Sequence, residues 1–155
     1  MPQPSASKYP LPYRIFFTWL DPLICVWGAY MDFFDPTLVL SSHIPNLPHD
    51  VGHAMILKQR GGGMLNFGFI SAVLLRYTTE LTIWRIVQFA NLIVDFTYFW
   101  GAGEALASQG RLDMGMLRVE DWAALAITGT ATVMRLAFLC GIGLGRAGKK
   151  EGKAA

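Results

Sequence analysis

Three charged residues lie deep inside apolar segments of this sequence: Asp21, Asp95 and Arg135. A charged side chain at the centre of a bilayer costs about 3 kcal/mol on the insertion scale, so each of the three needs a partner. Two acids and one cation can neutralise one another, which predicts one shared interior site. A structural ion-pair network that fixes helix packing would meet the same requirement.

Two carboxyl groups beside one guanidinium in a low-dielectric site can perform acid–base chemistry. The arginine keeps one carboxylate ionised as a base, while burial and like-charge repulsion leave a proton on the other. Such a pair can open a strained ring, isomerise a double bond or cyclise an apolar substrate. We expect Asp95 to be the base, Asp21 the acid or second base, and Arg135 the positioning residue. The two aspartates could also exchange roles.

Asp95 belongs to a polar stripe within the apolar stretch 80–104. At about 100° per residue, Gln88, Asn91, Asp95 and Tyr98 fall within an arc of roughly 80° on one helix face. Tyr98 and Asn91 are expected to hold a substrate oxygen. The wall of the predicted pocket would comprise Tyr98, Asn91, Gln88, Tyr30 and Trp84.

The composition favours a membrane protein. Hydrophobic residues make up 53% of the 155 positions and charged residues 15%, with ten phenylalanines and five tryptophans. The mean hydropathy is +0.36. A net charge of +2 is too small to indicate a nucleic-acid partner. Cys25 and Cys140 stand in apolar runs, where small buried side chains are expected rather than a disulfide.

The elements that position the charged residues are predicted to be four membrane-spanning helices. The fold expected is all-α, a single-domain four-helix transmembrane bundle over residues 1–155, with spans at about 13–34, 61–77, 80–102 and 122–144. Asp21-Pro22 predicts a kink or a freed carbonyl in span one. The glycine triplet at 61–63 predicts tight packing and a bend. Residues 36–58 are expected to form a loop over the membrane face.

Charge asymmetry between the loops predicts the orientation. The basic residues of both termini and of the turn between spans two and three fall on one side, and most acids fall on the other. The positive-inside rule then places both termini in the cytosol. The N-terminus lacks signal-peptide features, so the first span is expected to remain as an anchor. The expected location is a multi-pass protein of the endoplasmic reticulum membrane.

A histidine-containing segment offers a second candidate site. His43, His49, Asp50 and His53 could bind a metal ion, but the segment has no cysteine and no glutamate general base beside the histidines. A solvated loop is the expected structure there. The sequence also has no Gly-x-Gly-x-x-Gly, no Gly-x-Ser-x-Gly and no ordered haem ligand set. We therefore expect neither a metal nor a cofactor.

Residues of the first three spans resemble a fungal family of small four-span membrane proteins. The shared features are the acid-Pro pair of FFTWLDPLICVWGAY, the Trp84-Arg85 pair, and Asp95 further along span three. Members occur in secondary-metabolite pathways and include membrane epoxide hydrolases of the aurovertin and citreoviridin type, which convert polyene epoxides to cyclic ethers. The family's His-x-Tyr-like run is replaced by Phe96-Thr97-Tyr98, so the resemblance does not imply a histidine-based mechanism. The layout is more distantly similar to four-span sterol isomerases and EXPERA-type proteins.

The expected function is an integral membrane enzyme that opens an epoxide of a lipophilic polyketide or terpenoid, with water or an internal hydroxyl as the nucleophile. Its partners would be that small molecule and membrane lipids, and a homodimer is compatible with the sequence. A non-catalytic lipid- or sterol-binding protein or scaffold is the main alternative, and an isomerase of a lipophilic substrate is another. A proton-coupled transporter fits less well, because only four spans and no internal repeat are visible.

Overall fold

A computed structural model describes residues 9–48 and 50–144 of the chain, and these residues form helices and no strands. The predicted all-α class is therefore confirmed. The helices are α1 (Leu11–Phe34), α2 (Pro36–His43), α3 (Val51–Tyr77), α4 (Leu81–Ser108) and α5 (Val119–Leu139). A single 3-10 turn at Met114–Met116 lies between α4 and α5.

Helix α1 contains the irregularity predicted at Asp21-Pro22. A π-helical segment, Phe16–Leu20, separates its two α-helical parts. Pro22 has no N–H, so the carbonyl of Thr18 loses its donor four residues later. Arg76 of α3 replaces that donor, with Nη2 2.6 Å from the Thr18 carbonyl oxygen. The freed carbonyl thus becomes a contact between α1 and α3.

Small residues allow α1 and α3 to approach closely. A Cβ added at Gly68 would lie 3.0 Å from the Cβ of Cys25, and one added at Gly61 would lie 2.8 Å from the Phe33 ring. Tight packing is therefore confirmed at Gly61, whereas a Cβ at Gly62 or Gly63 would meet no described atom within 4 Å; the predicted bend stays a prediction. Helix α3 is continuous from Val51 to Tyr77 and begins ten residues before the predicted span 61–77. The contact of Gly61 with α1 offsets the low helix propensity of glycine.

The segment predicted as a loop, 36–58, contains helix α2 and the first turns of α3. Pro36 occupies the first turn of α2, where a proline is tolerated, and the Asp35 side chain accepts a hydrogen bond from the Leu38 amide. Asp50 caps α3 in the same way by accepting from the His53 amide at 2.8 Å. The prolines therefore delimit helices rather than preventing them. Helix α2 leaves α1 at an angle of 107°.

Helices α4 and α5 are joined at one end of the bundle by residues 109–118. We call this the loop end, and it also carries α2. The opposite end, the terminal end, holds both ends of the described chain and the turn between α3 and α4. There Tyr9 donates to the Thr79 carbonyl at 2.6 Å, and Tyr13 donates to the Ile142 carbonyl at 2.8 Å. Helix α5 stops before the predicted residue 144, because Gly141 adopts φ +75°.

Buried aromatic rings fill the terminal end, and apolar side chains cover the outer faces of the helices. The buried aromatic cluster consists of Tyr9, Tyr13, Phe16, Phe17, Trp84 and Phe138. On the outside, large apolar side chains such as Trp27 and Trp100 are more than half exposed. By length and composition, α5 could cross a membrane, and the bent pair α1–α2 would be a second candidate if it is one span.

Candidate functional site

The three predicted interior charges meet between helices α1, α4 and α5. Arg135 Nη2 lies 2.7 and 2.8 Å from the two carboxylate oxygens of Asp21. Arg135 Nη1 lies 2.5 Å from Asp95 Oδ2. The exposed fractions are 4%, 8% and 4% for Asp21, Asp95 and Arg135. The structure therefore brings together the cluster Asp21–Arg135–Asp95, which we call the acidic triad.

Helix α5 supplies a second donor to the triad. Thr132 lies one turn before Arg135, and its hydroxyl oxygen is 3.2 Å from Asp95 Oδ2 and 2.8 Å from the Thr128 carbonyl. Its single proton can be donated to only one of these oxygens at a time. Thr132 and Arg135 are both buried, and both contact Asp95 of α4.

The acidic triad contains more acid than base. One guanidinium carries one positive charge, whereas two ionised carboxylates would carry two negative charges. A net charge in a low-dielectric interior is expensive, so the cluster is electrically balanced when one of its carboxyl groups holds a proton. Within the described residues, no hydrogen bond reaches Asp95 Oδ1, while both oxygens of Asp21 contact Arg135. Asp95 therefore has the free acceptor oxygen of the pair.

The polar stripe of α4 continues from Asp95 toward the terminal end. Asn91 is 5% exposed and its Nδ2 lies 3.4 Å from Ser71 Oγ of α3. Gln88 is fully buried, and neither atom of its side-chain amide has a hydrogen-bond partner among residues 9–48 and 50–144. Both residues face the bundle interior, as the stripe predicted. The sequence reasoning missed Ser71, although its spacing from Gly61 and Gly68 places it on the packed face of α3.

Tyr98 lies toward the loop end, away from the contacts of the acidic triad. Its ring contacts the His43 ring edge-on at 6.2 Å between centroids. Together with Asp121, these residues line a cavity of about 20 Å³, which is enough for roughly one water molecule. Tyr98 follows Asp95 by one helical turn, but it forms no hydrogen bond with the triad. Its predicted role beside Asp95 stays a prediction.

Tyr30 and Trp84 do not line the acidic triad. Tyr30 follows Asp21 by nine residues, so it points about 180° away from it on α1. Its side chain is 52% exposed and stacks on Trp27 in an open apolar groove. Trp84 is buried, but it lies roughly 16 Å along α4 from Asp95. Its indole N–H donates to the Thr78 carbonyl at 3.0 Å, within the aromatic cluster.

Two further ion-pair clusters were not predicted. Asp32 is 1% exposed and pairs with Arg60 of α3. At the loop end, Asp121 pairs with both Arg111 and Arg118. The sequence signal for Asp32 was its spacing of eleven residues from Asp21, which returns it to the same face of α1.

The loop-end arginines also contact α2. Arg118 donates to the carbonyls of Ser41 at 3.1 Å and Ser42 at 2.8 Å. Arg111 donates to the His43 carbonyl at 3.4 Å. These carbonyls belong to the last turn of α2, where no intrahelical donor remains. The arginines therefore fix α2 against the loop between α4 and α5.

The structure describes three of the four residues of the predicted metal-binding segment, His43, Asp50 and His53. Within residues 9–48 and 50–144, no group of three or more His, Cys, Asp or Glu residues could hold a metal ion. His49 lies outside the described residues, so the histidine segment cannot be assembled from them. Cys25 and Cys140 are both free thiols. Cys140 is exposed, contrary to expectation, because it sits in the turn that ends α5.

Comparisons with known proteins give one match. The chain has no match among curated proteins and none among solved structures. A family model described as a domain of unknown function, DUF7704, matches residues 6–145. This range includes helices α1 to α5 and all three residues of the acidic triad. The chain therefore belongs to the DUF7704 family.

Proposed function

We propose that this protein is an integral membrane enzyme that opens an epoxide on a lipophilic polyketide or terpenoid, as a hydrolase or a cyclase. The acidic triad carries the proposal, because two carboxyl groups share one guanidinium in a buried site. The resemblance to the fungal membrane epoxide hydrolases supplies the substrate class and the setting in secondary-metabolite biosynthesis.

The proposal places the chain in the bilayer as a four-helix transmembrane bundle, with α1, α3, α4 and α5 as spans. Helix α3 has 27 residues and α4 has 28; at 1.5 Å per residue each is about 40 Å long, which exceeds a hydrocarbon core of about 30 Å. The exposed apolar side chains on their outer faces would contact lipid. Both termini would lie on the cytosolic side, and the endoplasmic reticulum is the proposed membrane.

The proposed reaction uses the two carboxyl groups in opposite protonation states. Asp95, as the carboxylate, takes a proton through Oδ1 from a water molecule or a substrate hydroxyl. That oxygen bonds to an epoxide carbon, the carbon–oxygen bond of the ring breaks, and the epoxide oxygen takes the proton held by Asp21. Water gives a diol and an internal hydroxyl gives a cyclic ether. A proton then moves from Asp95 to Asp21 and restores the starting state.

The remaining residues of the site hold these groups in place. Arg135 contacts both aspartates and keeps their carboxyl groups close together in the interior. The Thr132 hydroxyl can donate to Asp95 Oδ2 when it does not donate to the Thr128 carbonyl, and it leaves Oδ1 for the nucleophile. Asn91, one turn from Asp95, is the proposed contact for the epoxide oxygen or a neighbouring substrate group. The apolar bundle around these side chains favours a lipophilic substrate.

The test is epoxide turnover by membranes that contain Asp95→Asn. We expect activity to fall by at least about 100-fold, since the general base alone contributes roughly 10²–10⁴ in rate. Asp32→Asn is the matched control, because it also removes a buried carboxylate that pairs with an arginine of the same bundle. Activity per folded molecule should persist in the control. Undiminished turnover by Asp95→Asn would remove Asp95 from the mechanism.

A non-catalytic lipid- or sterol-binding protein or scaffold is the second candidate. It is favoured by one observation: the cavity beside Tyr98 and the groove beside Tyr30 are both lined by residues outside the triad. In this case the triad would serve packing alone. Thermal stability in detergent separates the two functions. Strong destabilisation by Asp95→Asn indicates a packing role, whereas unchanged or increased stability indicates a functional site retained at a cost to the fold.

A further inference from the structure

Among the residues that the structure describes, most of the buried polar side-chain atoms that lack a hydrogen-bond partner belong to helices α4 and α5. They include both amide atoms of Gln88, Nε of Arg85 and Nε of Arg135. Gln88 is the extreme case, because its exposed fraction is 0%. An unsatisfied buried polar group destabilises a fold and therefore requires an explanation, such as a bound molecule.

Arg85 and Gln88 can bind one group together. They are three residues apart on α4, so their Cβ atoms are neighbours at about 5–6 Å. Within residues 9–48 and 50–144, no ion pair or hydrogen bond involves the Arg85 guanidinium. Its Nη2 lies 3.9 Å from the position that a Cβ would occupy at Gly141. The guanidinium therefore lies beside the Gly141 turn at the terminal end, where a side chain on residue 141 would contact it.

The unpaired atoms define the chemistry of the missing partner. Arg85 Nε and the amide nitrogen of Gln88 are donors, and only the amide oxygen is an acceptor. A complementary group is therefore rich in acceptors, and the unpaired guanidinium favours one with a negative charge. Trp84 of the aromatic cluster lies one turn from Gln88 on the same helix face. An apolar chain attached to the oxyanion could pack there.

We propose that Arg85 and Gln88 form a binding site for the oxyanion of an amphiphile, such as the carboxylate of a fatty-acid-like molecule. The inference rests on the proposed function, because Gln88 lies about 10 Å from Asp95 along the same face of α4. The substrate would carry its oxyanion at that distance from the epoxide. Arg85 forms the outer part of the site and Gln88 the inner part.

The test measures binding rather than turnover. Oleate and oleyl alcohol, which share a chain and differ in charge, are titrated into purified full-length protein in a neutral detergent, with calorimetry and thermal unfolding as readouts. Wild-type protein should bind oleate and be stabilised by it, and should respond at least about tenfold more weakly to the alcohol. Gln88→Leu and Arg85→Gln should each weaken oleate binding by ~10- to 100-fold, as expected for hydrogen bonds to a charged group.

Arg14→Gln is the matched control, since it removes a positive charge from α1 near the same end of the bundle. An equal response to oleate and oleyl alcohol, or an equal loss of binding in Arg14→Gln, would overturn the proposal. Phosphatidylglycerol in nanodiscs tests a lipid headgroup as the source of the oxyanion; stabilisation that depends on Arg85 and Gln88 would support the site with that occupant. An absence of oleate and lipid binding would refute this site and leave the Asp95→Asn turnover test unaffected.

Discussion

The charge balance of the acidic triad predicts that removing its two carboxylates has a non-additive effect on stability. Asp21→Asn leaves one carboxylate, Asp95, for one guanidinium, and Asp95→Asn leaves Asp21 in the same relation. Each single variant therefore retains a neutral pair and should lose no more than about 1 kcal/mol, the usual net contribution of one hydrogen bond. The double variant leaves the buried guanidinium of Arg135 without an anion.

An uncompensated buried charge typically costs about 3–5 kcal/mol. For a chain of this length, 1 kcal/mol shifts the unfolding midpoint by about 2–4 °C, so the double variant should unfold roughly 6–20 °C below wild type. Apparent midpoints of the four proteins in one detergent give the interaction energy directly. Additive effects, with the double variant close to the sum of two small losses, would refute the charge-balance argument. So would a loss of several kcal/mol in either single variant.

Three further predictions follow from the contacts between helices. Arg135→Met leaves the two buried carboxyl groups without a cation. The variant should lose more stability relative to wild type as the pH rises, because both carboxyl groups then tend to ionise. Unfolding midpoints across a pH series measure this loss. Gly68→Ala places a methyl group against α1 and should lower the free energy of unfolding by about 1–3 kcal/mol. Gly63→Ala is the control, because its added Cβ would have no described atom within 4 Å. It should raise the free energy of unfolding by up to about 1 kcal/mol in the same assay. Arg118→Met should speed amide hydrogen exchange in residues 36–43 far more than it lowers the global midpoint.

The sequence predicted the acidic triad because a charged side chain inside an apolar segment is unfavourable unless an opposite charge neutralises it. Asp21, Asp95 and Arg135 were each recognisable from their position alone, and their meeting followed from the need for neutrality. The freed carbonyl of Thr18 was predictable for a similar reason, since Pro22 removes a specific donor. In both cases the sequence shows that a buried charge or carbonyl needs a partner. It does not show which residue is the partner: that Arg76 donates to the Thr18 carbonyl is known only from the three-dimensional structure.

The errors have a common physical origin in contacts between elements. Tyr30 was placed at the site on its chemistry, although nine residues from Asp21 put it on the opposite face of α1. The segment 36–58 was predicted as a loop because of its prolines, but the caps at Asp35 and Asp50 begin helices beside them. The pairing of Asp32 with Arg60 was not predicted, because Arg60 lies on another helix. Periodicity measured from Asp21 would have corrected the placement of Tyr30.

Within residues 9–48 and 50–144, three ion-pair clusters contain a buried aspartate. They differ in their ratio of acid to base, and this difference supports a functional role for the acidic triad. Asp32 pairs with one arginine, and Asp121 pairs with two. In each of these clusters the cations match or outnumber the acids, which is sufficient for attaching one helix to another. The acidic triad has two acids for one arginine. A packing contact between α4 and α5 needs only Asp95 and Arg135, so the second buried carboxyl group calls for a further reason. A proton on one of the two carboxyl groups provides one, because the pair then supplies both the acid and the base of the proposed reaction.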